Sequence, residues 1–184
     1  GEVVIDSSNS ARHVVIMVVG AGRGPLVACA LAASASTGVP VKIFAVEKNP
    51  NAIISLRNRL IRDNWTNVTI IEKDMRVYRP DENADILVSE LLGSWGDNEL
   101  SPECLDGAQT FLKPGGISIP RNSTSFIAPV STAKMWMAAR DMPGINGLNT
   151  PFVVKLNDCF LIDQAKPLFC FEHPNYGLIS NARY

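Results

Sequence analysis

The sequence has few of the residues that build metal sites and disulfide frameworks. Its 184 residues include four cysteines and two histidines, and no two cysteines form a Cys-x-x-Cys pair. His13 and His173 lie in polar stretches without a second ligand at a suitable spacing, which argues against a metal site. We expect the thiols to be reduced and mostly buried, as in an intracellular protein. The cysteines are Cys29, Cys104, Cys159 and Cys170.

An excess of one charge and long apolar runs are also missing. The formal net charge is −1, so direct electrostatic binding of nucleic acid has no support. The longest apolar run, Val14 to Val19, is too short to span a bilayer, and the first residues given do not have the apolar pattern of a secretory signal. Hydrophobic residues make up 46% of the chain and charged residues 19%, a balance that permits a sizeable core. Gly1 and Tyr184 are expected to be ends cut from a longer chain.

Strand and helix patterns alternate over the first two thirds of the chain, which predicts an α/β fold. Continuous apolar runs fit strands that are buried on both faces of a parallel sheet. Asn49 and Ser101 are the expected caps of helices whose first residues are Pro50 and Pro102. The predicted strands are 14–19, 41–46, 68–71, 84–89 and 117–119, and the predicted helices are 26–37, 50–61 and 102–112.

The pattern becomes β-rich after Pro120. Short strands are predicted at 124–128, 152–156 and 168–171, and a helix at 134–139 is expected to place Met135, Trp136 and Met137 in the core. The sequence therefore predicts two domains, residues 1–120 and residues 121–184.

A glycine-rich turn follows the first predicted strand. Gly20, Gly22 and Gly24 occupy every second position of this turn. Because glycine has no side chain, the backbone here can approach a ligand closely. A dinucleotide-binding loop would place its third glycine one residue later, so the spacing disfavours a nicotinamide-dependent dehydrogenase. A methyl donor without a pyrophosphate fits the shorter form, and a tight turn without a ligand is the alternative. Arg23 either meets a cofactor carboxylate or is an exposed loop residue.

Acidic residues stand at or just after the ends of the next two predicted strands. Glu47 is placed to accept hydrogen bonds from ribose hydroxyls, and Asp74 from an adenine amino group, with the Met75 amide nearby. A solvated acid at a strand tip and a turn-forming aspartate are the alternatives.

Two further carboxylates, Glu90 and Glu99, bracket a short loop after the predicted strand 84–89. The carboxyl end of such a strand faces the crevice where open α/β sheets bind ligands. A guanidinium is the side-chain cation best matched to a paired, bidentate grip by carboxylates. Loop solvation and helix capping are the structural alternatives for this acid pair.

Together these tracts resemble the protein arginine methyltransferases, and most closely the type II class that forms symmetric dimethylarginine. The resemblance spans most of residues 14–130 and rests on four tracts: Gly20 to Pro25, Glu47 to Pro50, Asp74 to Arg76, and Ser89 to Glu99. It implies an α/β fold with a Rossmann-like domain that uses S-adenosylmethionine as cofactor, followed by the start of a β-barrel domain. It also implies that a cofactor-covering helix belongs before Gly1 and that the rest of the barrel belongs after Tyr184.

The resemblance also implies residue roles and partners. Glu90 and Glu99 would be catalytic, and Leu92 and Ser94 would contact the substrate. Histones and spliceosomal arginine-glycine-rich proteins would be substrates, and a WD40 propeller would be a partner of an oligomeric enzyme. The resemblance further implies roles in histone methylation and chromatin regulation, and a location in cytoplasm and nucleus. An inactive module that only binds cofactor or protein is the alternative. The implied cofactor-binding residues are Gly20, Gly22, Arg23, Glu47, Asp74 and Met75.

Overall fold

The fold is known from a computed structural model, which describes residues 13–93, 98–142 and 149–177. Strands and helices alternate up to β5, and short strands follow. In chain order, the elements are β1 (Val14–Val19), α1 (Pro25–Thr37), β2 (Val41–Glu47), α2 (Pro50–Arg62), β3 (Val68–Glu72), β4 (Ala84–Ser89), α3 (Ser101–Ala108), a 3₁₀ turn (Gln109–Phe111), β5 (Leu112–Ile119), β6 (Asn122–Ile127), β7 (Val130–Ser131), α4 (Ala133–Arg140), β8 (Phe160–Leu161) and β9 (Lys166–Glu172).

The first five strands form one parallel sheet in the order β3-β2-β1-β4-β5. The chain moves outward from β1 to β3 and then returns to the other side of β1 to form β4. Strand order therefore reverses between β1 and β4, and ligands of such sheets bind in the crevice at this position. The predicted α/β fold is confirmed, although β5 begins five residues before the expected strand 117–119.

Two apolar clusters cover the two faces of the sheet. On one face α1 and α2 pack through Val27 and Leu56 against strand residues such as Ile43. On the other face α3 and the 3₁₀ turn bury Leu105 and Phe111. Burial on both faces explains why the strands of this sheet are apolar over most of their length.

The helix starts agree only partly with the sequence. Asn49 caps α2 as predicted, since its side chain accepts from the Asn51 amide at 3.0 Å. Ser101 is instead the first residue of α3, and Leu100 stands at the cap position in the left-handed conformation with φ 62°. Ser101 is buried, so the cap position is occupied by Leu100, which is exposed and forms no side-chain hydrogen bond to the helix.

Beyond β5 the described chain forms two small antiparallel sheets, β6–β9 and β7–β8. The predicted strand 124–128 corresponds to β6, and 168–171 lies inside β9. The predicted strand 152–156 is wrong, because these residues pair with no described strand and Val153 is 80% exposed. An apolar run forms a strand only where a neighbouring strand receives its backbone hydrogen bonds.

Two expectations about burial are also wrong. Helix α4 has no buried residue, and Trp136 is 50% exposed, so its apolar side chains are not core residues. Cys29 and Cys170 are exposed, while Cys104 and Cys159 are partly exposed. Among the described helices, none combines the length and the apolar character needed to cross a membrane.

Candidate active site

The glycine turn is held at the carboxyl end of β1 by its neighbour β2. The amides of Gly20 and Ala21 donate to the Val46 carbonyl at 3.0 and 3.1 Å. Gly20 and Gly22 have φ values of 67° and 54°, a region that favours glycine. Among the described residues, a Cβ built on Gly22 would meet only the Gly20 carbonyl oxygen, at 3.9 Å. The turn therefore leaves open space beside Gly22, where a ligand could approach the backbone.

Glu47, at the end of β2, ties this turn to the start of the next loop. Its Oε2 accepts from the Gly22 amide at 2.8 Å, and its Oε1 accepts from the amides of Lys48 and Asn49, both at 2.8 Å. A carboxylate has about four acceptor positions, so these amides leave about one of them, on Oε2. Glu47 thus orders the glycine turn and retains an acceptor at its edge.

Asp74 follows β3 and is surrounded by cationic side chains. Arg76 donates from its Nε and Nη2 to the two carboxylate oxygens at 3.0 and 2.6 Å, and Lys48 donates from Nζ at 3.2 Å. Hydrogen bonds from the Arg76 side chain are the main reason that the pKa of Asp74 lies below its usual value of 3.8. An adenine amino group would share this carboxylate with two cations.

Leu91, in the loop after Glu90, lies directly on the glycine turn. Val19 and Ser89 are register partners in β1 and β4, so Gly20 and Glu90 both begin at the same edge of the sheet. Leu91, the neighbour of Glu90, lies so close that a Cβ on Gly20 would be 2.8 Å from its Cδ2 and 3.6 Å from Met75 Cε. Two predicted cofactor residues therefore lie together with the residue that follows the first acid of the pair.

Glu99 returns to the same loop. A Cβ built on Gly93 would clash with Asn98 and would lie 2.9 Å from Glu99 Cγ. A side chain at this position would require the Asn98 and Glu99 side chains to shift, so the two arms of the loop are in close contact here. Glu90 and Glu99 are both exposed, so both carboxylates remain accessible to a solvent-borne cation.

The remaining predicted residues are less closely tied to this crevice. Leu92 is half-buried in the loop after Glu90, and Ser94 lies outside the described residues. Arg23 lines a groove of about 310 Å³ with Ser55, Asn58, Arg59 and Arg62 of α2. Its carbonyl accepts from Arg59 Nη1 at 3.3 Å. The described residues contain no cluster of histidine, cysteine or acidic side chains suited to a metal ion.

One buried contact near the site was missed at the level of sequence. His173 is 4% exposed, and its Nε2 lies 3.3 Å from Asp106 Oδ1 of α3. The surrounding sequence is polar, and the two residues are 67 positions apart. The sequence pattern around His173 gives no sign that its side chain is buried.

The sheet order, the glycine turn and the acid at the end of β2 define the chain as a Rossmann-like methyltransferase fold. Solved structures agree on this class. The Trypanosoma brucei PRMT1 enzyme–prozyme heterotetrameric complex with AdoHcy is similar with a TM-score of 0.70 and 18% identity, over 88% of this chain and 53% of that one. Arabidopsis thaliana protein arginine methyltransferase 10 is similar with a TM-score of 0.57 and 22% identity, over 71% of this chain and 38% of that one.

The chain belongs to the PRMT5 family of protein arginine N-methyltransferases. The family model described as PRMT5 arginine-N-methyltransferase matches residues 2–119, and the model described as PRMT5 oligomerisation domain matches residues 122–184. Protein arginine N-methyltransferase 5 of Oryza sativa subsp. indica is 51% identical over 98% of this chain. The Xenopus laevis protein of the same name is 47% identical over 92% of this chain. The chain spans 28% of the length of each of these relatives.

Proposed function

We propose that the full-length protein transfers a methyl group from S-adenosylmethionine to a guanidinium nitrogen of arginine in a protein substrate. The observation that carries this proposal is the contact of Leu91, the residue after Glu90, with Gly20 of the glycine turn. A methyl donor on the turn and a cation held by the acids would then be neighbours. Family membership supports the same chemistry.

The residues at the strand ends fit an adenosine-containing cofactor. Glu47 retains an acceptor for a ribose hydroxyl beside the Gly22 amide, and Met75 offers an apolar side chain between Gly20 and the core. Asp74 would accept from the adenine amino group by releasing one of the four hydrogen bonds that Arg76 and Lys48 donate to it. The cofactor supplies an electrophilic methyl group on a sulfonium, and the protein supplies position.

Glu90 and Glu99 would hold the substrate guanidinium. An arginine side chain stays protonated near neutral pH, since its pKa exceeds about 12, and two carboxylates can grip its planar fork. The grip aligns one nitrogen with the methyl group and favours the positive charge that builds up there. Transfer of the methyl group would break its bond to the sulfonium sulfur and leave a neutral thioether, and one acid, or a water beyond it, would accept the proton that the nitrogen loses.

The finer parts of the proposal concern product and partners. The resemblance to the type II class supports symmetric dimethylation, with histones or arginine-glycine-rich spliceosomal proteins as substrates and Leu92 and Ser94 beside the arginine. A WD40-propeller partner and a location in cytoplasm and nucleus are proposed on the same basis. The match of residues 122–184 to an oligomerisation domain supports an oligomer.

The test replaces each acid by its neutral amide in the full-length protein. We expect Glu90→Gln and Glu99→Gln each to lower methyl transfer to an arginine-glycine-rich peptide by at least about a hundredfold, because groups that act as a unit fail together. Binding of S-adenosylhomocysteine, measured by calorimetry, should stay within about twofold of wild type.

Glu103→Gln on α3 is the control, because this glutamate lies close to the pair in sequence and is only partly exposed. Its turnover should remain near that of wild type. Retained turnover in both Glu90→Gln and Glu99→Gln would remove the acid pair from the mechanism. Cofactor binding without any methyl transfer by wild type would instead favour a non-catalytic binding module.

A further inference from the structure

His173 is the one residue with a buried side chain among the described residues 149–177. Most of that segment is exposed, including residues of β9 such as Leu168, which is 50% exposed. A polar side chain is buried at a cost unless it finds polar contacts. The burial of His173 therefore marks the place where this β-rich part is held most closely by the rest of the chain.

Four polar contacts hold the segment that follows β9. His173 Nε2 lies 3.3 Å from Asp106 Oδ1, and the His173 amide donates to the Arg121 carbonyl at 2.7 Å. The Asn175 amide donates to Gln109 Oε1 at 2.6 Å, and Gln109 Nε2 donates to the Asn175 carbonyl at 3.2 Å. Two of the three anchors, Asp106 and Gln109, belong to α3 and the 3₁₀ turn after it.

Helix α3 begins two residues after Glu99. Leu100, between them, has the left-handed conformation, and its carbonyl accepts the first helical hydrogen bond, from the Cys104 amide at 3.0 Å. The chain therefore passes from the acid into the helix without a flexible spacer. The face of α3 that carries Asp106 connects the acid-bearing loop to the β-rich part.

We propose that His173, through Asp106, is a positioning residue that keeps the segment after β9 in fixed alignment with α3 and hence with Glu99. This inference rests on the proposed function, because the alignment matters only if Glu99 holds a substrate. It does not require His173 to touch substrate or cofactor. A misplacement of about 1 Å at a reacting group costs about a hundredfold in rate, so a remote contact of this kind has a measurable effect.

The experiment compares His173→Leu with His173→Gln in the full-length protein. Leucine fills the buried space without a donor, whereas glutamine keeps an N–H donor near the position of Nε2. We expect His173→Leu to lower kcat for an arginine-glycine-rich peptide at least about tenfold, with the Kd of S-adenosylhomocysteine within about twofold of wild type. Glutamine should recover kcat to within about threefold of wild type.

Asp106→Leu, which removes both carboxylate oxygens, and the double variant complete a mutant cycle. The variant that carries both substitutions should have a kcat no lower than that of the slower single variant, since the two substitutions remove the same contact. His13→Leu is the control, because His13 is the other histidine and is exposed. It should behave as wild type.

Hydrogen exchange separates this inference from the proposed function. In His173→Leu, amides of Leu105 to Gln109 and of Asn175 should exchange faster than in wild type, whether or not the protein methylates arginine. Wild-type kcat together with unchanged exchange in His173→Leu would overturn the positioning role. Equal losses for leucine and glutamine would overturn the role of the donor. A wild-type protein that methylates no arginine, with the exchange difference intact, would overturn the proposed function alone.

Discussion

At the scale of the residue, Glu47 has a structural role that the sequence did not indicate. Its position predicted an acceptor for ribose hydroxyls, whereas the structure shows both oxygens engaged by the backbone amides of Gly22, Lys48 and Asn49. The carboxylate therefore shapes the turn before any ligand arrives. Cofactor affinity and loop order should depend on the same side chain.

We expect Glu47→Gln to raise the Kd of S-adenosylhomocysteine at least about tenfold. The glutamine side chain would direct its NH2 group towards backbone amides that are themselves donors. Hydrogen bonds to a charged group contribute roughly 1.5–3 kcal/mol, and about 1.4 kcal/mol corresponds to a tenfold change in affinity. Calorimetric titration measures the change. Glu72→Gln is the control, because Glu72 is the register partner of Glu47 in β3 and pairs with Arg57 at the surface.

Binding by Glu47→Gln that equals wild type would show that the amide contacts are dispensable. A loss of the same size in Glu72→Gln would show a general effect of charge at this edge of the sheet. Faster exchange of the Gly22 amide in the unliganded Glu47→Gln protein is the expected companion result.

The sequence was informative about which residues reach the crevice, but less so about their contacts. Glycine spacing and acids at strand ends follow from local pattern, and the structure places Gly20, Glu47 and Glu90 at one edge of the sheet. The contact of His173 with Asp106 depends on how distant segments fold back, and no local pattern encodes that. Arg23 shows the same limit, because its groove includes residues of α2.

At the scale of the element, α3 is fixed from two sides. Its inner face packs on the sheet through Leu105 and Ala108, and Gly107 lies against the turn after β3. A Cβ on Gly107 would be 2.7 Å from Arg76 Cα and 3.3 Å from the Arg76 carbonyl oxygen. The helix that follows Glu99 is thus in direct contact with the turn that carries Asp74.

Gly107→Ala should destabilise the protein, although helix propensity alone predicts the opposite. Alanine is better than glycine inside a helix by about 1 kcal/mol, whereas overpacking against a rigid backbone costs about 1–3 kcal/mol. Because the obstacle is backbone, we expect the clash to dominate and the thermal midpoint to fall by a few degrees. Thermal unfolding of the full-length protein measures it.

Gly177→Ala is the control for this prediction. Among the described residues, a Cβ there would meet only Asn175 Oδ1, at 3.8 Å, so the midpoint should stay close to that of wild type. A higher midpoint for Gly107→Ala would mean that propensity outweighs the contact. It would also show that α3 can move away from Arg76 at little cost.

Strands were predicted correctly where a continuous apolar run reflected burial on both faces of the sheet. The strands of the parallel sheet are apolar because both faces are covered, and this pattern identified them. The residues 152–156 have an equally apolar pattern but no strand partner among the described residues. Pairing depends on the rest of the fold, so composition alone could not distinguish the two cases.

At the scale of the whole molecule, the two parts of the chain differ in how well they bury their apolar residues. The sheet and its helices enclose two continuous cores. The part after β5 exposes large apolar side chains, among them Trp136 at 50% and Phe160 at 70%. Exposed apolar patches of this kind mark interaction surfaces more often than free surface.

An apolar groove beside α4 forms part of this surface. It has a volume of about 710 Å³, and Trp136, Met142 and Val153 are among the residues that line it. The groove lies within the residues matched by the oligomerisation domain model. A second copy of the protein is therefore the expected partner of this face.

We expect the full-length protein to have a solution mass above that of its monomer, and Trp136→Glu combined with Val153→Glu to lower that mass. Two carboxylates in the groove would remain charged and would oppose burial of the face, because unpaired charges are costly to desolvate. Light scattering after size-exclusion chromatography measures the mass. Ile61→Glu is the control, since Ile61 is 77% exposed on α2 and is not among the groove residues. An unchanged mass in the double variant would place the contact between copies elsewhere, and a reduced mass in Ile61→Glu would extend it to α2.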